Sequence, residues 1–289
     1  CISTLELEKK LKKNKIDLVI PVHLSGHSSD MSEIYKLKKK YNFHIIEDAC
    51  HALGGKYNKF KVGSCKFSDI STFSFHPVKP ITTGEGGMIT TNNKKIYQKI
   101  MLYRTHGIQK NYLAFKNKRL ALDKDNQPNR WYYEMDVLGF NYRLTDIAAA
   151  LGLSQLNRLS AFVEQRNAIA DRYDELLADS TFILPSRDSD SLSSFHLYII
   201  RIESSNPGQI HKALFEKLRS SGVGVNLHYI PIYRHPYYQK IGFDYALYPA
   251  SEAYYKSAIS IPMFPGLSFE EQDYVVKVLQ NPSGYQNIF

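Results

Sequence analysis

Among the 289 residues there are one tryptophan, five methionines and three cysteines. No apolar run approaches the roughly 20 residues that a bilayer-crossing helix needs, so no membrane span is expected. The first residues lack the pattern of a secretory leader. Cys1, Cys50 and Cys65 are an odd set without metal-ligand spacing, which argues against a disulfide framework and against a zinc site. Free thiols of this kind fit a reducing, cytoplasmic compartment. There is no internal repeat and no extended low-complexity segment. The formal charge is +9, yet the lysines cluster as Lys9-Lys10, Lys12-Lys13 and Lys36 to Lys40, on the polar faces of helical patterns. No basic stripe is interleaved with aromatics in a known reading motif, so nucleic acid is not the expected partner. A general attraction for an anionic ligand is a milder use of the charge.

What is present fits a globular protein with a large core: 43% hydrophobic and 22% charged residues in a chain long enough for two domains. One stretch stands out. Ser74-Phe75-His76-Pro77-Val78-Lys79-Pro80 is followed by Ile81-Thr82-Thr83-Gly84-Glu85-Gly86-Gly87, between the strand-like runs Ile70 to Phe75 and Met88 to Thr91. Pro77 and Pro80 fix φ and bias the residues before them toward extended backbone, so Lys79 is held stiffly. A lysine becomes a carbonyl-condensing nucleophile when its surroundings depress its pKa. An isolated Lys-Pro pair is more often a surface turn; the case for chemistry comes from upstream.

There, a strand-like Phe43-His44-Ile45-Ile46 ends in Glu47-Asp48-Ala49-Cys50-His51-Ala52. An acid at the carboxyl end of a buried parallel strand points into the crevice where α/β proteins bind ligands. Alone, Asp48 reads as a helix cap or structural carboxylate. With Lys79 it suggests pyridoxal 5'-phosphate, which needs a lysine for its aldehyde and a carboxylate to keep its ring nitrogen protonated.

These two motifs, with Gly139-Phe140-Asn141-Tyr142-Arg143-Leu144-Thr145-Asp146, resemble the DegT/DnrJ/EryC1/StrS family of sugar-nucleotide aminotransferases over nearly the whole chain. The resemblance implies an α/β, fold-type I enzyme: a large domain with a mainly parallel sheet (residues 1–180, including a long linking helix) and a small C-terminal α+β domain (181–289). It implies Lys79 as the catalytic residue. Asp48, His51, Ser74 and Asn141 are the implied further cofactor residues, with Asn141 reaching across a homodimer interface to the neighbour's site. His51 is also readable as a core histidine satisfied by backbone, Ser74 as an ordinary strand serine, and Asn141 as a helix cap. Asn226, His228 and Tyr229 are implied at the mouth of the site, against the nucleotide-sugar, with packing as the plain alternative for Tyr229.

The implied reaction moves an amino group from L-glutamate to C4 of a UDP-4-keto-6-deoxy-N-acetylhexosamine, in pseudaminic acid synthesis. Ketosugars derived from UDP-glucosamine or GDP-mannose, and a non-catalytic member of the fold, are the rivals; dehydratases of the superfamily carry histidine at the Lys79 position. Family members carry about a hundred further N-terminal residues, so the chain, which begins at Cys1, is expected to be a fragment.

The remaining pattern is read in order. Ile16 to Val22 is an apolar strand of parallel-sheet type, Met31 to Tyr41 an amphipathic helix, and Tyr57 to Val62 a strand. Lys94 to Thr105 is a helix and Asn111 to Arg130 a long mobile loop. Leu144 to Ala178 is helical, with Gly152 as close packing or a break. His196 to Ile202 and Val223 to Leu227 are strands flanking a helix that starts at Asn206-Pro207. Ser268-Phe269-Glu270-Glu271 is a capping box.

Overall fold

Ser3 accepts a hydrogen bond from the Glu6 amide and so starts the first helix, α1 (Thr4–Lys13). The computed structural model describes residues 1–281. After α1 comes β1 (Leu18–Val19), and then α2 (Met31–Tyr41), capped by Asp30 and ended by Asn42 at φ 55°. Met31 and Ile34 of α2 meet Leu7 and Leu11 of α1 and Phe43 and Ile45 in one apolar cluster. The lysines of α2 lie outside it: Lys36 pairs with Glu33, Lys40 with Glu8, and Lys38 with Asp69.

β2 (His44–Asp48) runs parallel to β1, pairing Leu18 with His44 and Val19 with Ile45. The expected strand from Ile16 to Val22 is shorter than its apolar run. Pro21 has no N–H to offer the ladder, and pairing resumes only as a bridge between Val22 and Asp48. β3 (Lys56–Tyr57) and β4 (Phe60–Lys61) form a hairpin turned at Asn58, whose φ is 50°. Tyr57 to Val62 is therefore two short strands and not one; an asparagine tolerates the left-handed turn that divides them.

β5 (Ile70–Ser74) pairs parallel to β2, and β6 (Gly87–Thr90) pairs antiparallel to β5. The sheet order is β1-β2-β5-β6. α3 (Lys94–Arg104) follows, capped by Asn93. The segment expected to be mobile is structured. It holds a 3-10 turn at Tyr112–Ala114 and a short helix, α4 (Lys118–Ala121), which Asn117 caps. The Glu134 carboxylate accepts the Lys116 and Asn117 amides, at 2.7 and 2.6 Å. These local asparagine and glutamate bonds leave no hydrophobic period to read. β7 (Ile108–Gln109) pairs with β8 (Glu134–Met135).

Leu144 to Ala178 is two helices, α5 (Asp146–Leu156) and α6 (Leu159–Leu176), parted at Asn157-Arg158. Gly152 lies inside α5 and serves close packing: a Cβ there would stand 2.8 Å from Thr83 Cγ2. After α6 come β9 (Phe182–Ile183), β10 (Ser191–Leu192) and β11 (Tyr198–Ile202). β10 leaves its neighbours and pairs with β3. α7 (Pro207–Ser220) ends at Gly222, φ 76°, and the short α8 (Pro236–Lys240) and α9 (Pro249–Ser257) follow. β12 (Ala258–Ile261) completes an antiparallel sheet of order β12-β11-β9. The expected strand from Val223 to Leu227 is reduced to one bridge, Asn226 to Ser260.

α10 (Phe269–Gln280) opens with the capping box: Ser268 Oγ accepts the Glu271 amide and the Glu271 carboxylate accepts the Ser268 amide. The largest core joins Ile169, Tyr173 and Leu177 of the α6 end to Tyr198, Leu214 and Ile259. Among the described residues no helix is long and apolar enough to cross a membrane.

Candidate active site

The two parallel strands β2 and β5 deliver Asp48 and Ser74 to the same end of the sheet, and the Lys79 loop closes over that end. The loop is fastened at many points. The Phe75 amide donates to Gly86 O at 2.8 Å, and Thr83 N and Thr82 Oγ1 both donate to Phe75 O at 3.0 Å. The Lys79 amide donates to His76 O at 2.9 Å. From outside, Gln155 Oε1 on α5 accepts the Thr82 amide at 3.0 Å. The stiffness expected from two prolines is thus reinforced by α5.

Lys79 is half-buried, with Pro80 and Ile81 buried beside it. Burial lowers its pKa from the ordinary lysine value. The charge of the Asp48 carboxylate pulls the other way without reversing the shift. Asp48 Oδ1 accepts the Cys50 amide at 3.1 Å, and the backbone of Asp48 is pinned on both sides: its N–H donates to Pro21 O at 2.9 Å and its C=O accepts the His23 N–H at 3.0 Å. Burial and the Asp48 carboxylate push the Cys50 thiol up to about 11, so it is present as a thiol.

Three histidines surround this centre. His51 is buried; its Nδ1 accepts the Ser25 amide at 3.3 Å, and its Nε2 lies 3.1 Å from the Tyr229 hydroxyl. Since Nδ1 is the acceptor, the ring proton sits on Nε2 and is donated to Tyr229. Burial, helped by Lys79, lowers the His51 pKa to about 4. The His196 ring packs against it at a tilt of 54°, ring centroids 4.4 Å apart, and burial lowers its pKa to about 2. His228 Nδ1 lies 2.8 Å from Ser260 Oγ, and burial and Lys79 lower its pKa too. All three are neutral imidazoles around an amine whose proton is loosely held.

The model of the DegT/DnrJ/EryC1/StrS aminotransferase family matches residues 1–280. The chain belongs to that family. It is 40% identical over 277 residues to the UDP-4-amino-4,6-dideoxy-N-acetyl-beta-L-altrosamine transaminase of Campylobacter jejuni, covering 95% of this chain and 68% of the relative. The PseC aminotransferase of Helicobacter pylori, involved in the biosynthesis of pseudaminic acid, superposes with a TM-score of 0.85 at 32% identity, covering 96% of this chain and 69% of PseC. The Spr1654 protein of Streptococcus pneumoniae, in its PMP form, gives a TM-score of 0.80 at 30% identity, over 91% of this chain and 68% of that one. The chain thus spans about two thirds of the length of these relatives. The α/β, fold-type I architecture read from the sequence is the architecture of the family.

Against the family motif, the structure gathers Lys79, Asp48, His51, His228 and Tyr229 into one region. The charges of Lys79 and Asp48 both act on His51, Lys79 acts on His228, and Asp48 acts on Tyr229. Ser74 ends β5 with its Oγ accepting the His76 amide at 3.3 Å. Asn226 is exposed, with Oδ1 turned back onto the Leu227 amide. Asn141 lies apart: its side chain is exposed and its Oδ1 accepts from Arg143 Nε at 3.1 Å.

Sequence reasoning passed over four residues here. Cys50 sits inside the Glu47–Ala52 motif, but its alignment with Asp48 is a matter of backbone turn. Ser25 and His196 come from segments 171 residues apart, which no local pattern joins. Arg166 is a buried guanidinium on α6 whose Nη1 donates to Phe195 O, His196 O and Met263 O at 2.9, 3.3 and 3.0 Å. An arginine that breaks the apolar face of α6 was its one available signal.

Proposed function

We propose that the chain is a pyridoxal phosphate-dependent aminotransferase that moves an amino group from L-glutamate to C4 of a UDP-4-keto-6-deoxy-N-acetylhexosamine. The observation that carries this reading is Lys79: a half-buried amine with weakened proton affinity beside the strand-end carboxylate of Asp48. The donor set fits the cofactor. Lys79 would hold its aldehyde, Asp48 its ring nitrogen and Ser74 its phosphate, with His51 beside the ring and Asn141 contributed across a dimer. When bound, the cofactor supplies an electron sink for the carbon that loses its proton.

The residues do the rest. The Lys79 amine takes the proton from the α-carbon of glutamate and returns it to the acceptor, a task that suits an amine whose pKa burial has brought down. The Asp48 carboxylate, pinned by Pro21, His23 and Cys50, would hold a proton on the cofactor's ring nitrogen. Tyr229 and His228, with Asn226, hold the sugar nucleotide at the mouth.

The substrate is supported by the names of the relatives in Campylobacter and Helicobacter. A homodimer is supported by the apolar side chains that α5, β6 and the preceding segment expose, among them Ile147, Leu153, Met88, Ile89 and Leu138. The compartment consistent with three free cysteines is the cytoplasm.

The test adds pyridoxal phosphate to the chain and follows the visible spectrum before and after glutamate. A lysine-linked band that bleaches with glutamate is the expected result; a band absent even from the chain extended to the length of its relatives overturns the cofactor assignment. Product analysis with UDP- and GDP-linked 4-ketosugars then decides the substrate.

A further inference from the structure

The interior behind Lys79 contains a hydrogen-bond chain that reaches His51 and Tyr229 from segments the proposed chemistry does not use. It starts at the turn 24–27, where Ser25 has φ 59° and Gly26 φ 100°. Segment 193–197 lies directly on this turn: Ser194 N donates to Gly26 O at 3.2 Å and Leu197 N to Ser25 O at 3.3 Å. A Cβ on Gly26 would come within 2.6 Å of Ser194 Oγ and 2.8 Å of Phe195 N, so the approach requires glycine. Ser194 Oγ donates to His51 O at 2.8 Å. On the far side, Arg166 clamps the carbonyls of Phe195 and His196. The backbone around His196 is therefore held by the 24–27 turn and by Arg166.

The His196 ring carries an anomaly. His196 is nine-tenths buried, and its Nδ1 is fully buried with no hydrogen-bond partner. A native core tolerates few such atoms. What the imidazole does contact is His51, ring against ring at 4.4 Å. His51 is in turn fixed at both nitrogens, by the Ser25 amide on one side and the Tyr229 hydroxyl on the other.

We propose that Ser25 and His196 are positioning residues that lock the His51 ring with its proton on Nε2, and that the locked ring turns the Tyr229 hydroxyl into a donor facing the Asp48–Cys50–Lys79 centre. The reasoning is a count of donors. Ser25 N–H occupies Nδ1, so Nε2 must donate to Tyr229 Oη. With that lone pair taken, the phenolic proton points away from His51. The ring of Tyr229 is half exposed, and its hydroxyl lies where the Asp48 charge reaches it. Its partner is an oxygen acceptor, a carbonyl or an anionic oxygen, on the compound that meets Lys79. His51 in this arrangement never carries a proton through the reaction; it orients one.

The catalytic half of this inference rests on Lys79 being the reactive amine, while the hydrogen-bond half does not. The experiment separates them. The full chain is labelled with 15N-histidine, and the ring nitrogens are read by long-range proton–nitrogen correlation at pH 7, with His51 assigned through His51→Gln. A neutral Nε2–H tautomer is expected for His51. His196→Leu should leave the chain folded and mix the two His51 tautomers, and His196→Phe, which keeps an aromatic ring, should restore the single one.

With the cofactor bound, His196→Leu and Tyr229→Phe should each lower kcat by about 10- to 100-fold. His196→Phe should recover most of that loss. An Nδ1–H tautomer in the native chain, or His51 signals unmoved by His196→Leu, overturns the proposal. Should His196→Leu not fold, the native chain and His196→Phe decide: Nε2–H in both supports it, Nδ1–H in either overturns it. A failure of the cofactor reading shows separately, as a missing visible band, and leaves the tautomer result standing.

Discussion

The His51 Nε2 and the Tyr229 hydroxyl lie in hydrogen-bond contact at 3.1 Å, joining side chains 178 residues apart. One comes from the turn that follows β2, the other from the loop after the Asn226–Ser260 bridge. This bond ties the C-terminal loop to the sheet end that carries Asp48. It makes the mouth of the site and its floor one hydrogen-bonded unit.

Lys79 cannot be replaced by another cation. Lys79→Arg keeps the positive charge and removes the primary amine, and it should lower turnover by at least about 100-fold, as should Lys79→Ala. Borohydride reduction of the chain loaded with pyridoxal phosphate should mark the peptide containing Lys79 and no other. A label on a different lysine would exclude the assigned role.

Asp48→Asn preserves shape and the bond from the Cys50 amide while deleting the charge. Turnover should fall by about 10²–10³-fold. Without the Asp48 carboxylate, the pKa of Lys79 should drop further, because that charge now opposes the effect of burial. The pH dependence of borohydride trapping reads the change directly; an unchanged profile would show that the two groups are not coupled.

Acid should weaken the fold through two buried histidines. His51 falls from 6.5 to about 4 and His196 from 6.5 to about 2 in the native chain, so below pH 6.5 the unfolded state binds protons that the native state refuses. Stability is whole above pH 6.5 and is lost as pH falls toward those native values. His51 alone accounts for about 3 kcal/mol. Urea denaturation from pH 7.5 to 4.5 should show this slope, and it should be shallower in His51→Gln.

A side chain at Gly152 should disturb the Lys79 loop. The Cβ of Gly152→Val would press on Thr83, whose amide and hydroxyl hold the loop to Phe75 and Glu85. The expected cost is about 1–3 kcal/mol in denaturation midpoint. Affinity for pyridoxal phosphate should weaken with it. A stability loss without any change in affinity would mean that α5 and the loop move independently.

Arg166 offers a test of the interior clamp. Arg166→Met matches much of its bulk and leaves three carbonyl groups without their donor, at a cost of about 3 kcal/mol or more. Its guanidinium stays charged at neutral pH although burial lowers its pKa to about 10. A loss well under 1 kcal/mol would place those carbonyls within reach of water.

Some of the architecture was legible because its physics is local. The α2 pattern from Met31 to Tyr41, the Ser268 capping box, and the strand ending in Asp48 depend on residues within a few positions of each other. The misread elements are those where context overrides pattern. Asn58 turned one expected strand into a hairpin. Pro21 thinned another. Leu144 to Ala178 reads as helical throughout, yet it breaks at Asn157-Arg158 into α5, which buries no residue, and α6, which buries Val163, Ile169 and Tyr173. The stretch from Asn111 to Arg130 is ordered by polar side chains bonding to backbone, which leaves no periodic trace.

By itself, the order of residues determined the family and singled out Lys79 and Asp48. A lysine between prolines after one strand, and an acid at the end of another, are chemical statements that survive without coordinates. Only the tertiary structure decided the electrostatic state of the site. It is burial that lowers the proton affinity of Lys79 and keeps His51, His196 and His228 neutral, and burial depends on segments distant in the chain. The alignment of Ser25, His51, His196 and Tyr229 likewise needs the 24–27 turn to lie on segment 193–197, an approach set by packing across the fold and by no sequence period.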